Sequence, residues 1–254
     1  MTRIINQNLL NIKNYALHYG ANHIKALSEY NLAIIEPKAH HLNDIKILQN
    51  HGSQVYAYLS VFEIPSSHEK FKEFEALLLS RETKSSSGET LNRNLVDLRS
   101  EDWMGYLFEL VKSYAENFGF DGIFVDTLSY IEEYIKEDSV AFSQILAVTE
   151  LFNKINEEFP HMGIIQNNGL GLVLNYTKNY IDGVCWENPD LHLKERKKIN
   201  KIITGRLKKI KMENNLKIFL LTQDSEYTRY YRQLSYKNSF IYYDAPKDYI
   251  GPVR

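Results

Sequence analysis

The sequence predicts an α/β protein closed into a single (β/α)8 TIM barrel, and three observations carry that expectation. Short apolar runs alternate with amphipathic helical stretches along the chain, the apolar runs number eight, and several of them stop at an acid or amide. Alternation of this kind specifies a parallel sheet. A count of eight favours closure of that sheet over an open, doubly wound one.

Taken in order, the period of two predicts strands over 15–18, 32–36, 55–60, 122–126, 163–166, 183–187, 217–222 and 240–243. The 3.6-residue period predicts helices over 22–30, 42–51, 102–118, 139–159, 170–180, 193–214 and 227–236. Residues 64–100, after the third strand, break the rhythm with a helix-like 71–79 and a polar run, Lys84-Ser85-Ser86-Ser87-Gly88-Glu89. A long loop leaving the carboxyl end of a barrel strand is a candidate wall of a site. Elements of the same sheet flank it, so one domain is expected over 1–254.

Composition narrows the function. The 254 residues are 44% hydrophobic and 24% charged, with a formal net charge of −2, and the size suits one barrel. That overall balance provides no general attraction to nucleic acid or an anionic membrane. Arg196-Lys197-Lys198 and Lys208-Lys209 fall in a helical pattern and read as a solvated face. No apolar run is long enough for membrane insertion. The single cysteine, Cys185, lies inside an apolar run, which excludes a disulfide framework and reads as core filling. No leader-like pattern occurs, as would also hold for a mature secreted chain, so the compartment stays open.

The centre of the chain is Gly119-Phe120-Asp121-Gly122-Ile123-Phe124-Val125-Asp126, a turn, an apolar strand and then an acid. The same grammar returns in Asp182-Gly183-Val184-Cys185-Trp186-Glu187. One such acid could simply cap the next helix. Recurrence on two strands of equal parity places Asp126 and Glu187 in one layer of the C-terminal rim, where barrel enzymes keep their chemistry. Paired carboxylates there fit glycosidic bond cleavage, one protonating the leaving oxygen while the other acts as nucleophile or activates water.

Around them the strand ends bring Tyr19, Glu36, Ser60, Glu63, Tyr130, Gln166, Asn167, Asp224, Tyr243 and Asp244 as candidate substrate contacts. Gln166 or Asn167 could hold a sugar hydroxyl or a catalytic oxygen. Trp186, one residue before Glu187, faces the opposite way if the strand alternates. No histidine spacing fits a metal site, and neither a serine-hydrolase elbow nor a Gly-rich cofactor turn is present, so no metal and no cofactor are expected.

At these residues the chain resembles the endo-α-1,4-polygalactosaminidase-like glycoside hydrolases. Four blocks carry the resemblance: Tyr56-Ala57-Tyr58-Leu59-Ser60-Val61-Phe62-Glu63, the 119–128 segment around Asp126, Gln166-Asn167-Asn168-Gly169, and the 182–187 segment ending in Glu187. It implies a (β/α)8 fold, endo-hydrolysis of a partly de-acetylated, galactosamine-rich exopolysaccharide, and Asp126 and Glu187 as the catalytic acids. A cationic polymer would also account for a rim rich in Glu36, Glu63, Asp224 and Asp244. A second reading is a non-catalytic carbohydrate-binding barrel of the same fold, hinted at by Phe62 where family members carry Gly. Acids of equal parity at nearly equal height favour a short carboxyl gap and hence retention of configuration, with the two roles open.

Overall fold

In the computed structural model, which describes residues 9, 11–80, 83–84, 90–91, 93–189, 193 and 195–253, eight parallel strands run in sequence order. They are β1 (Tyr15–His18), β2 (Leu32–Ile35), β3 (Gln54–Ser60), β4 (Gly122–Asp126), β5 (Gly163–Asn167), β6 (Gly183–Glu187), β7 (Lys217–Gln223) and β8 (Ile241–Ala245). The ladder is continuous from β1 to β8, and β8 comes back beside β1, so the sheet curls into a nearly closed barrel. Among the described residues the helices are α1 (Ile24–Leu27), α2 (Leu42–Asn50), α3 (Phe71–Phe74), α4 (Glu101–Ser113), α5 (Ser129–Tyr134), α6 (Asp138–Glu158), α7 (Leu172–Thr177), α8 (Lys197–Asn214) and α9 (Thr228–Asn238). The expected (β/α)8 architecture is therefore present.

The repeated Asp-Gly at the strand starts has a mechanical role. Asp121 Oδ2 accepts from the Val55 N–H at 2.8 Å and Asp182 Oδ2 from the Ile164 N–H at 2.8 Å, so each acid clips the start of the preceding strand to its own. The glycines make room inside. A Cβ on Gly122 would lie 2.5 Å from the Tyr56 ring, and one on Gly163 1.8 Å from its hydroxyl. Tyr56 thus occupies the bottom of the barrel with Tyr15 and Phe219, all three with no exposed surface. Gly119, at φ 69°, supplies the left-handed residue that ends the π-helical continuation of α4 (Tyr114–Phe118), which the 3.6-residue period had merged into one helix.

Departures from expectation concentrate in the segment after β3. Only Phe71–Phe74 is α-helical, a 3₁₀ turn spans Glu75–Leu77, and Leu78–Ser80 then forms a short strand antiparallel to Leu95–Val96. Phe71 and Phe74 are buried, and the apolar side chains that mimic a longer helix serve this strand instead. Thr83–Lys84 pairs with Thr90–Leu91. Ser85, Ser86, Ser87, Gly88 and Glu89 lie outside the described residues, as does His192. α8 begins at Lys197 instead of 193, and α7 is shorter than the expected 170–180.

Candidate active site

Alternation along a strand decides which residues reach the barrel interior. Phe124 and Asp126 share one face of β4, Ile165 and Asn167 of β5, and Cys185 and Glu187 of β6; Asp126, Asn167 and Glu187 converge at the C-terminal end. Asn167 joins the other two. Its Nδ2 donates to Asp126 Oδ1 at 2.8 Å and to Glu187 Oε2 at 2.6 Å, so one amide group spends a proton on each carboxylate. The two oxygens cannot be further apart than those two bonds laid end to end.

Each acid also has a tyrosine. Tyr58 Oη donates to Asp126 Oδ2 at 2.8 Å, and Tyr249 Oη donates to Glu187 Oε1 in a short hydrogen bond. Asn188 Nδ2 lies 3.4 Å from the same Glu187 oxygen and 3.3 Å from Tyr249 Oη. Tyr19 packs its ring against Tyr58 and Tyr249, with centroids 4.9 and 5.1 Å away, and its N–H donates to the Tyr249 carbonyl at 2.7 Å. Burial and the neighbouring carboxylates push the Tyr19, Tyr58 and Tyr249 phenols upward, so they remain hydrogen-bond donors. Burial, and then the Asp126 charge, push the Glu187 carboxyl above its ordinary value; the bonds from Tyr249 and Asn167 oppose this without cancelling it.

Backbone geometry at the rim is equally specific. The residue after each of β4, β5, β6 and β7 is left-handed: Thr127 at φ 71°, Asn168 at 51°, Asn188 at 44° and Asp224 at 43°. Three of these are Asn or Asp, the types that tolerate the conformation best. Asn168, Asn188 and Asp224 each donate their N–H across to the next strand, at 2.8, 2.8 and 2.9 Å, and Asn168 Oδ1 accepts from the Glu187 N–H at 3.0 Å. The turn after β5 thus fixes the backbone of Glu187 on the next strand.

Paired carboxylates are the groups that glycosidic bond cleavage uses, and comparison with known proteins bears on this pair. The model of glycoside-hydrolase family GH114 matches residues 9–206. The chain belongs to glycoside-hydrolase family GH114. It is a glycoside hydrolase. Among solved structures it is similar to the glycoside hydrolase domain of PelA from Pseudomonas aeruginosa, at 16% identity and TM-score 0.78 over 94% of this chain and 96% of that one. Ega3 of Aspergillus fumigatus in complex with galactosamine is 12% identical, TM-score 0.60, over 83% and 77%. The galactosidase domain of an α-galactosidase–sucrose kinase is 10% identical, TM-score 0.62, over 91% and 37%. No protein of curated function matches.

Within this GH114 barrel the other expected contacts divide. Glu63 pairs with Arg93 Nη1 at 3.0 Å, and the Arg93 guanidinium lies 4.3 Å from the Tyr130 ring centre, so Glu63 and Arg93 of the segment after β3 build one wall together with Tyr130 of α5. Burial pushes the Glu63 carboxyl up, against the pull of Arg93. Ser60 Oγ donates to the Glu63 carbonyl at 2.8 Å and lies 3.3 Å from Thr127 Oγ1, which places it in the support of that wall. Glu36 Oε1 accepts from the Lys38 N–H at 3.3 Å, capping the turn after β2.

Four of the expected contacts are not brought to the carboxylates by the side-chain geometry. Gln166 is fully buried and accepts from Thr177 Oγ1 of α7 at 2.6 Å while donating to the Asn168 and Gly169 carbonyls at 2.8 and 3.2 Å. It sits one residue out of phase with Asn167 and faces the helices. Asp244 likewise faces outward, accepting from Thr222 Oγ1 at 2.6 Å, the Ser225 N–H at 3.1 Å and Thr228 Oγ1 at 3.0 Å, where it organises the start of α9. Tyr243 is nearly buried, its ring packed on Tyr15 and Tyr30 with centroids 5.6 and 5.7 Å away, a layer below the rim. Asp224 is exposed on the turn after β7. Phe62 is wholly buried and its N–H donates to Thr127 Oγ1 at 2.8 Å, so its side chain fills core and leaves both acids in place.

Sequence reasoning missed Tyr58, Tyr249 and Arg93. Tyr58 carried a signal, since Tyr56, Tyr58 and Ser60 alternate along β3 and share the inward face. Tyr249 carried none. It follows the last strand in an irregular turn with two successive left-handed residues, Asp248 and Tyr249.

Proposed function

We propose that this hydrolase cleaves α-1,4 linkages inside a partly de-acetylated, galactosamine-rich exopolysaccharide, with retention of configuration, Asp126 as nucleophile and Glu187 as acid/base. The observation that carries the mechanism is the Asn167 bridge. Two oxygens bonded at 2.8 and 2.6 Å to one nitrogen are closer than the roughly 6.5–9.5 Å an inverting enzyme leaves for water, and suit the roughly 5–5.5 Å of a retaining one. The roles follow from environment. Burial and the neighbouring Asp126 charge hold the Glu187 proton to higher pH, as suits a group that protonates a glycosidic oxygen near neutrality.

Asp126 attacks the anomeric carbon while Glu187 gives its proton to the departing oxygen, and Glu187 then takes a proton from the water that releases Asp126. Asn167 binds both carboxylates through the cycle. The substrate class draws support from the family and from the galactosamine in the Ega3 complex. The non-catalytic alternative loses its local support, because Phe62 does not reach the acids.

The test is azide rescue on a defined galactosamine oligosaccharide. Glu187→Ala should recover turnover with azide and give an α-glycosyl azide, whereas Asp126→Ala should give the β-azide by direct displacement. The opposite pairing would exchange the roles, and a β-configured first product from the native enzyme would refute retention. Release of monosaccharide alone from the polymer would refute endo action.

A further inference from the structure

The net charge of −2 conceals a separation of charge. α8 and α9 carry ten of the 30 Lys and Arg residues and one of the 32 Asp and Glu, which leaves 20 and 31 elsewhere. A formal +9 on two neighbouring helices therefore stands against −11 on the rest of the chain. The same helices hold four of the five most exposed large hydrophobic side chains among the described residues: Tyr236 at 90%, Met212 at 77%, Ile202 at 62% and Ile199 at 50%. Neither feature follows from packing a helix on a barrel, which asks only for an apolar inner face such as Leu207, Ile210 and Tyr231.

The exposed face of α8 interleaves the two chemistries. At 100° per residue, Lys197, Lys208, Lys201, Met212, Lys198, Lys209 and Ile202 follow one another around the solvent side of the helix. Gly205 lies among them with nothing within 4 Å of where its Cβ would be. A furrow of about 710 Å³ separates α8 from α9, lined by Lys197, Lys201, Lys208, Tyr230 and Lys237. Two basic residues are turned inward: Arg206 donates to the Gly171 carbonyl and Asn175, and Lys211 to the Ser239 carbonyl. The remainder point outward.

We propose that the α8–α9 face is a peripheral docking surface for an anionic lipid bilayer. Clustered lysines draw a helix to acidic headgroups, and protruding Ile, Met and Tyr side chains enter the headgroup layer, a pairing that a soluble polyanion would not reward. The furrow is sized to admit headgroups between the helices. Since α8 and α9 lie on the flank of the barrel and the acids at its mouth, a docked enzyme keeps its catalytic cleft open to polymer running along the surface. No helix of the described residues is long and apolar enough to cross a membrane.

Vesicle sedimentation tests this with three proteins. At about 0.15 M salt, the native chain should pellet with phosphatidylcholine vesicles containing about one third phosphatidylglycerol and not with phosphatidylcholine alone. Lys197→Glu/Lys201→Glu/Lys208→Glu should lower the affinity about 100-fold or more, and Ile202→Ser/Met212→Ser severalfold. Both variants should hydrolyse soluble substrate like the native enzyme, which shows that they fold. Failure of the native chain to pellet with acidic vesicles would overturn the proposal. So would undiminished binding by the Ser variant together with equal binding to DNA or alginate, which would make the face a polyanion site, or salt-sensitive pelleting without vesicles, which would make it a contact between copies.

Discussion

The arc formed by β4, β5 and β6 and the arc formed by β7 and β8 look alike in sequence, yet they use their polar strand ends in opposite ways. Asp126, Asn167 and Glu187 stand in the inward phase and meet at the mouth. Asp244 stands in the outward phase and ties together Thr222, Ser225 and Thr228 beneath α9. Gln166, next to Asn167, repeats the contrast within a single strand. An acid or amide at a barrel strand end is thus a candidate for chemistry in one phase of the alternation and a fastener in the other.

The largest effect that would break this comparison is at Glu187. Glu187→Gln should lower kcat by about 10²–10⁴-fold with the fold intact by circular dichroism, and near-native turnover would remove Glu187 from the mechanism. Its stability should change with a definite sign. A folded-state pKa above the unfolded one means that Glu187 favours folding least once pH has risen through the folded value. The Gln variant should therefore match the native protein in acid and gain in Tm relative to it above that window. A native advantage at high pH would contradict the raised pKa.

Adjacent amides on β5 give the next test. Asn167→Ala should cost on the order of 10²-fold in kcat, by freeing both carboxylates, with a small change in Tm. Gln166→Ala should cost about 2–3 kcal/mol of stability by stranding the Asn168 carbonyl and emptying a buried site, with Thr177 left its bond to Val173 and Gly169 its bond from Leu174, while the folded fraction stays active. Interchanged outcomes, read by chemical denaturation and initial rates, would sink the phase argument. Asp244→Ala should behave as Gln166→Ala does but more mildly, losing about 1–2 kcal/mol with the loss of a cap and keeping kcat.

The smallest expected effect is a shift in pH profile. Tyr249→Phe removes a donor that favours the ionised Glu187. The descending limb of kcat/KM should therefore move to higher pH, with a modest fall in kcat. Movement to lower pH would mean that Tyr249 stabilises the protonated acid.

The barrel strands and the two acids were legible because each strand is a short apolar run closed by a polar residue, and because Asp126 and Glu187 repeat one local pattern. The sorting of their neighbours was also within reach, since Asn167 against Gln166 and Tyr243 against Asp244 differ by one step of a two-residue period. Height was not legible. Tyr243 shares the inward phase but lies a layer too deep, packed on Tyr15 and Tyr30, and the depth of a layer depends on the stagger of the closed sheet. Arg93 and Tyr249 come from loops whose conformation no period encodes, and only the assembled fold shows that they face Glu63 and Glu187.

Tyr56, seated in the space that Gly122 and Gly163 leave and buried in full like Tyr15 and Phe219, stoppers the barrel below the acids. Among the described residues, traffic to the carboxylates is therefore barred from below and enters at the C-terminal mouth of the barrel. In the two-step cycle proposed above, the departing polymer end and the incoming water must use that entrance in turn, so a leaving fragment that lingers delays water and can itself return as the acceptor. A blocked floor thus sets up a competition between hydrolysis and re-ligation, which long, slowly departing chains would tip toward transfer.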